Sequence, residues 1–221
     1  MLSKAEEKLI RSLKSRKGRE KSGKCLVEGV KAIETAGKAV EFVFTREDTT
    51  EFNALVTTET PQDEAAVARI PEWGREDIDN SPTLVVLDGV QDPGNVGAVL
   101  RLCLGFGAAL LLVESVDVSS PKVIRSSAGA MFQVPWTRMS PSEAAEYIAA
   151  SDREVFRLER QEQTKGPETL AKPKRITIIA GSEGSGIRLP NAGTSIEIPH
   201  DEKLESLNVT HALAIALYQR G

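Results

Sequence analysis

Three short runs, apolar throughout but for one threonine, constrain this 221-residue chain more than any other feature: LVVL at 84–87, ALLLV at 109–113 and ITIIA at 176–180. A strand with one wet face alternates apolar and polar residues, because successive side chains point to opposite sides. A run of four or five branched residues with no polar interruption reads as a strand buried on both faces, as in a parallel sheet covered by helices. SIEI at 195–198 and the weaker 155–158 segment read as further strands. Helical periods occupy 95–106 and 207–219. Ser140-Pro141-Ser142-Glu143 is a capping box with proline at the first helical position, which predicts a helix over about 141–150. This alternation is that of an α/β domain with a mostly parallel sheet.

Before Thr83 the texture differs. Residues 4–14 fit a short amphipathic helix, and 25–36 fit another through Leu26, Val30 and Ile33. Segments 39–44 and 54–57 read as strands and 62–70 as a helix. The polar stretch 71–82, with proline near each end and no apolar period, is the best linker. The expected division is a small α/β domain over 1–75 and a larger one over 76–221.

Charge is uneven along the chain as well. The formal net charge of −4 argues weakly against a nucleic-acid partner, but it is a sum of unlike parts. Residues 1–24 hold nine Lys and Arg against three acids, a net of +6, so the remainder carries −10; residues 41–80 alone carry −8. A basic run is either a solvated face or a phosphate-binding one. The sum hides a basic arm on an acidic body. No apolar stretch approaches the length of a membrane span, and the N-terminus lacks a secretory core. Two cysteines, Cys25 and Cys103, make neither a disulfide framework nor a zinc cluster, which points to a reducing, cytoplasmic setting.

Several familiar sites are absent from the pattern. Gly94–Gly97 does not complete a dinucleotide fingerprint. GSEGSG at 181–186 lacks the Lys-Ser/Thr ending of a P-loop, and no Gly-x-Ser-x-Gly elbow occurs. His200 and His211 have no partners at metal-ligand spacing, so no metal is expected. What remains is three loops after strands: 88–97, continuing to Arg101; 180–186; and Ile198-Pro199 followed by Ser206-Leu207-Asn208-Val209. Ligands of open α/β sheets sit beyond the carboxyl ends of strands, so the three loops are candidates for one site.

DPGNVGAVLRLCLGFGA (92–108), IAGSEGSGI (179–187) and IPHDEKLESLNVTHALAIALYQ (198–219) resemble the three ordered motifs of the SpoU, or TrmH-like, family, RNA 2′-O-ribose methyltransferases of the SPOUT class. SSAGAMFQVPW (126–136) resembles the stretch between the first two. The basic start with GKCLVEGVKAIETA (23–36) resembles the small RNA-binding domain that precedes the catalytic one in many members. The resemblance implies a SPOUT-type parallel sheet flanked by helices with a deep trefoil knot, S-adenosylmethionine as cofactor, rRNA or tRNA as substrate, and a homodimer. The cofactor-binding positions it implies are Gly181, Ile198, Leu207, Glu183 and Pro199. The catalytic ones are Asn95, Arg101, Glu183, Ser206 and Asn208, with Ser127 and Gly129 at an active-site loop.

Each residue also has a plainer reading. Ile198 and Leu207 suit ordinary core packing, Asn95 a helix N-cap, Ser206 a cap for the last helix, and Glu183 an exposed loop. Arg101, among Leu100, Leu102 and Leu104, reads as a buried cation in need of a partner such as Glu183 or an RNA phosphate. The sequence departs from the family at Leu102-Cys103, at His200-Asp201-Glu202-Lys203 and at His211. The acidic departure bears on substrate choice more than on catalysis. Two other classes stay open: a non-catalytic RNA-binding protein retaining the fold, and a metabolic α/β enzyme with a nucleotide cofactor.

Overall fold

The structure, a computed structural model, describes residues 1–201 and 203–221. Glu202, part of the acidic departure, lies outside the described residues. Two compact units divide the chain: residues 1–72 with 117–133, and residues 73–116 with 134–221.

The first unit opens with two helices, α1 (Lys4–Leu13) and α2 (Arg16–Ser22). Ser3 and Glu6 form a capping box at α1, and Ser15 caps α2. Strand β1 (Lys24–Glu28), helix α3 (Val30–Ala36), strand β2 (Val40–Thr45), the single-turn α4 (Phe52–Leu55) and strand β3 (Glu64–Arg69) follow. The sheet is antiparallel in the order β1-β3-β2.

Three expectations fail here. The helix expected over 25–36 is a strand up to Glu28. Gly29 turns the chain at φ +98, a value that suits glycine, and only then does the helix begin. The helix expected over 62–70 is the central strand β3. Ala65 to Ala68 are buried on both faces, so the strand shows no alternation. The strand expected at 54–57 is instead the end of α4 and the irregular pair 56–57 after it; Phe52 and Leu55 of α4 join Ile10, Leu13, Leu26, Phe44 and Val67 in the core.

The basic segment is no free arm. Ile10 and Leu13 bury it in that core, and much of its charge is neutralised within the unit. Arg11 pairs with Glu51, Lys24 with Glu41 and Arg16 with Glu20, while Lys14 Nζ donates to the Ala54 and Val56 carbonyls. Arg19 is buried; it donates to the Leu13 carbonyl at 2.8 Å and to Asp117 through Nε at 3.2 Å. Lys4, Lys8, Lys17 and Lys21 are exposed and, among the described residues, outside these pairs.

The second unit begins with α5 (Arg75–Asp79), a short helix inside the expected linker. Its Ile78 is buried in the core, and Arg153 closes its end by donating to the Ile78, Asp79 and Ser81 carbonyls. Strand β4 (Thr83–Asp88), helix α6 (Pro93–Gly105) and strand β5 (Ala109–Val113) come next. The chain then passes into the first unit through 117–133, which contains α7 (Pro121–Ser126). There Arg125 pairs with the buried Glu28 at 2.6 Å. The division expected at 75/76 had not separated this excursion.

The second unit resumes with β6 (Trp136–Met139), α8 (Pro141–Ala149), β7 (Glu154–Leu158), β8 (Ile176–Gly181), β9 (Thr194–Ile196) and α9 (Val209–Arg220). The capping box at Ser140 is present as read. All six strands are parallel, in the order β6-β5-β4-β8-β7-β9. The three runs form β5, β4 and β8, three neighbours near the centre, buried throughout apart from Gly181 at the end of β8. Their parallel register brings Asp88 level with Val113 and Gly181, so the loops that follow leave the sheet from one edge.

Candidate active site at the ends of the parallel strands

The loop after β4 opens α6. Asp92 caps that helix, accepting the Asn95 N–H at 2.8 Å, and Pro93 takes the first helical position. Asn95 is therefore not the cap, and its side chain is free to work elsewhere. The loop after β8 folds back on itself as Gly186 N–H donates to the Ser182 carbonyl at 2.9 Å. A Cβ on Gly181 would sit 2.1 Å from the Gly186 backbone. Gly181 is thus required by the closure of its own loop. Buried Asp88 fastens the return leg, accepting the Arg188 and Leu189 N–H groups at 2.5 and 2.7 Å. That buried carboxylate, a hundred residues away in sequence, was not singled out there.

The third loop leads into α9. Its cap is Asn208, whose Oδ1 accepts the Thr210 N–H at 2.9 Å; Ser206 is exposed and does not cap. The other end of the Asn208 amide joins the three loops. Nδ2 donates to Asn95 Oδ1 at 3.1 Å and to Glu183 Oε1 at 2.8 Å. Thr210 Oγ1 adds a bond to Asn95 Oδ1 at 3.3 Å. Three residues proposed from separate motifs thus form one hydrogen-bonded cluster, with Asn95 and Asn208 half-buried and Glu183 exposed.

Arg101 stands outside this cluster, and its expected burial is wrong. The buried positions of α6 are Val96, Gly97, Val99, Leu100 and Cys103, while Arg101, Leu104 and Phe106 are exposed. Among the described residues its guanidinium is not paired with Glu183 or any other acid. Ser127 is buried and donates to the Ile124 carbonyl; it and Gly129 belong to the first unit.

Two adjoining cavities lie at these loops. One, of about 150 Å³, is walled by Leu158, Ile196, Ile198, Leu207 and Ala212. The other, of about 400 Å³, is lined by Gly181, Ser182, Glu183, Ser185 and Gly186 on its polar side. Leu158, Glu159, Ser206, Leu207 and Ala212 border both. Ile198 and Leu207 are half-buried pocket walls. Pro199 is exposed and lines neither cavity. His200 Nδ1–H donates to the Ile198 carbonyl at 2.7 Å, which leaves that carbonyl less free for a ligand. A small slot with mainly apolar walls beside a larger cavity of mixed lining fits a nucleobase joined to a polar tail, as in S-adenosylmethionine.

The chain matches the SpoU rRNA Methylase family over residues 82–218 and the MRM3-like substrate binding domain over residues 5–68. The 23S rRNA (guanosine(2553)-2′-O)-methyltransferase RlmP of Bacillus subtilis (strain 168) is 28% identical, covering 94% of this chain and 92% of that one. A 23S rRNA (adenosine(1067)-2′-O)-methyltransferase of Streptomyces azureus is 30% identical over 78% of this chain and 67% of its own. The structure of a TrmH-family RNA methyltransferase from Porphyromonas gingivalis covers 100% of this chain and 98% of that one, with 29% identity and a TM-score of 0.84. An AdoMet-bound rRNA methyltransferase from Sinorhizobium meliloti, at 22% identity, has the same fold with a TM-score of 0.85.

The parallel sheet with its three joined loops is that of a methyltransferase. The chain belongs to the SpoU rRNA methylase family, whose methyl donor is S-adenosylmethionine.

Proposed function

We propose that the protein methylates the 2′-hydroxyl of a ribose in rRNA, with tRNA the less favoured substrate because the named relatives act on 23S rRNA. The observation that carries this reading is the bridging of Asn95 and Glu183 by Asn208, which ties the three motif loops beside the paired cavities. A non-catalytic RNA-binding protein would have no need of this cluster.

Bound S-adenosylmethionine supplies a methyl made electrophilic by its sulfonium, so no metal is needed for activation. The chain's task is to place a ribose hydroxyl in line and to take its proton. Glu183, exposed at the mouth of the polar cavity, is within the cluster that would receive that hydroxyl. Arg101 holds the flanking phosphate and stabilises the developing alkoxide as a fixed positive charge rather than as the base. Gly181, Ile198 and Leu207 present backbone and apolar walls to the adenine, with Ser206 between the cavities.

The first unit holds the RNA through Lys4, Lys8, Lys17 and Lys21. The second unit is knotted in the manner of the SPOUT class, supported by its likeness to the Porphyromonas gingivalis structure. A homodimer forms through exposed Leu104 in the last turn of α6, Phe106 just after it, and Ile215 and Tyr218 of α9, two helices that pack together. Arg101, one turn before Leu104, then lies at the edge of that interface. Among the described residues no helix is long and apolar enough to cross a membrane, in keeping with a cytoplasmic RNA enzyme. Mapping 2′-O-methyl sites in total RNA with and without the gene tests the reading: one or a few sites should vanish, and an unchanged map would refute it.

A further inference from the structure

Glu159 is a half-buried carboxylate that none of the three motifs includes. It is the first residue after β7, at the carboxyl end of a parallel strand, and it borders both cavities. Arg157 holds it in a two-pronged grip, Nε to Oε1 at 2.7 Å and Nη2 to Oε2 at 3.2 Å, and Ser195 Oγ donates to Oε1 at 3.1 Å. Arg157 is itself fixed by donating Nη1 to the Leu189 and Asn191 carbonyls at 2.9 Å each. The carboxylate is therefore both charged and immobile. Burial pushes its pKa up, but Arg157, Ser195 and Gln161 together outweigh that and hold it below the ordinary range.

An ionised carboxylate accepts up to about four hydrogen bonds. Oε1 has its two here, while Oε2 takes Arg157 Nη2; the exposed Gln161, which lines the larger cavity, also bears on the carboxylate and shares the capacity left with any ligand. The apolar slot suits a flat base and the polar cavity a charged tail. The group connecting them in a nucleoside ligand is a ribose, whose vicinal hydroxyls are two donors in search of an acceptor.

We infer that Glu159 is a specificity-determining residue for the cofactor, accepting hydrogen bonds from its ribose hydroxyls where the apolar and polar cavities meet. This rests on the cofactor reading above. Without the acid, the site would hold the base and tail but no longer sense the sugar.

Calorimetric titration of the full-length protein with S-adenosylmethionine, and then with 5′-methylthioadenosine and its 3′-deoxy counterpart, tests this without RNA or turnover. The thioadenosines carry neither sulfonium nor ammonium, so simple charge attraction drops out. Wild type should prefer the intact diol by about tenfold, the size of one hydrogen bond to a charged group. In Glu159→Ala that preference should fall to within about twofold. Because the ratio is taken on one protein, general loosening of the pocket cancels. If that variant does not fold, Glu159→Gln, with one acceptor oxygen in place of two, should still lower the preference several-fold. A preference retained in the substituted protein overturns the inference while leaving the cofactor reading intact. No binding of S-adenosylmethionine to wild type would overturn both.

Discussion

The side-chain amide of Asn208 donates to Glu183 at 2.8 Å, while its oxygen starts the last helix by accepting from Thr210. One residue thus caps α9 and fixes the acid of the glycine-rich loop. The two tasks separate by substitution. Asn208→Asp keeps an acceptor for the cap, so thermal stability should stay near wild type. It loses the donor and sets a second carboxylate against Glu183, so methyl transfer should fall at least about tenfold. Unchanged transfer by Asn208→Asp would remove this contact from the mechanism.

Arg101 is assigned to phosphate and alkoxide, a role for charge. Arg101→Lys should therefore retain much of the single-turnover rate with a pH profile like wild type, and Arg101→Ala should lose about a hundredfold or more. A lysine variant whose rate rose steeply with pH would mark this position as the base instead. Tritiated methyl transfer across pH 6–10 reads the difference.

RNA affinity is expected to be salt-dependent through four exposed lysines. Deleting residues 1–24 would remove Ile10 and Leu13 from the core and unfold the first unit, so truncation is the wrong probe. Replacing Lys4, Lys8, Lys17 and Lys21 with Gln should leave folding intact and lower the slope of log affinity against log salt by up to about 3, at ~0.7–0.9 per phosphate contact. Replacing Arg11 and Arg16, already paired with Glu51 and Glu20, should change the slope little.

Much of this arrangement was legible in the sequence, and its failures have physical causes. The runs at 84–87, 109–113 and 176–180 read as strands because burial on both faces favours apolar residues, with buried Thr177 the one polar exception. The same burial hid β3, where Ala65 to Ala68 carry no alternation and a helix reads equally well. The three loops were visible through glycine and proline. Asn95, Glu183 and Asn208 were singled out by resemblance, but the amide that joins them is a tertiary fact. Arg101 was misjudged because three leucines around it suggested burial, whereas Leu104 is itself exposed. Asp88 and Glu159 escaped because a carboxylate after a strand carries no local signal until its distant partners are in place.

Asp117 shows how charge links the segment 117–133 to the first unit. Burial raises its pKa, but the bonds from Arg19, Arg19's charge and the Ser119 bonds together hold it below the ordinary carboxylate range. Its stabilisation is therefore fully present above the unfolded value of about 4 and is lost as pH falls through the lower folded value. Asp117→Asn leaves Arg19 buried without its counter-charge and should cost about 3 kcal/mol at pH 7. The gap from wild type should shrink towards pH 3 as the wild-type carboxyl takes up its proton. Urea denaturation at the two pH values checks this; an equal gap at both would contradict the assignment.

The central claim is transfer of a methyl group to a ribose 2′-oxygen. It is tested most directly by incubating the full-length protein with methyl-labelled S-adenosylmethionine and unmodified 23S rRNA, then hydrolysing the RNA in alkali. A 2′-O-methyl group blocks attack on the adjacent phosphodiester, so the label should appear in an alkali-resistant dinucleotide, and Asn208→Asp should reduce it. Label released entirely in mononucleotides would place the methyl on a base and contradict the account.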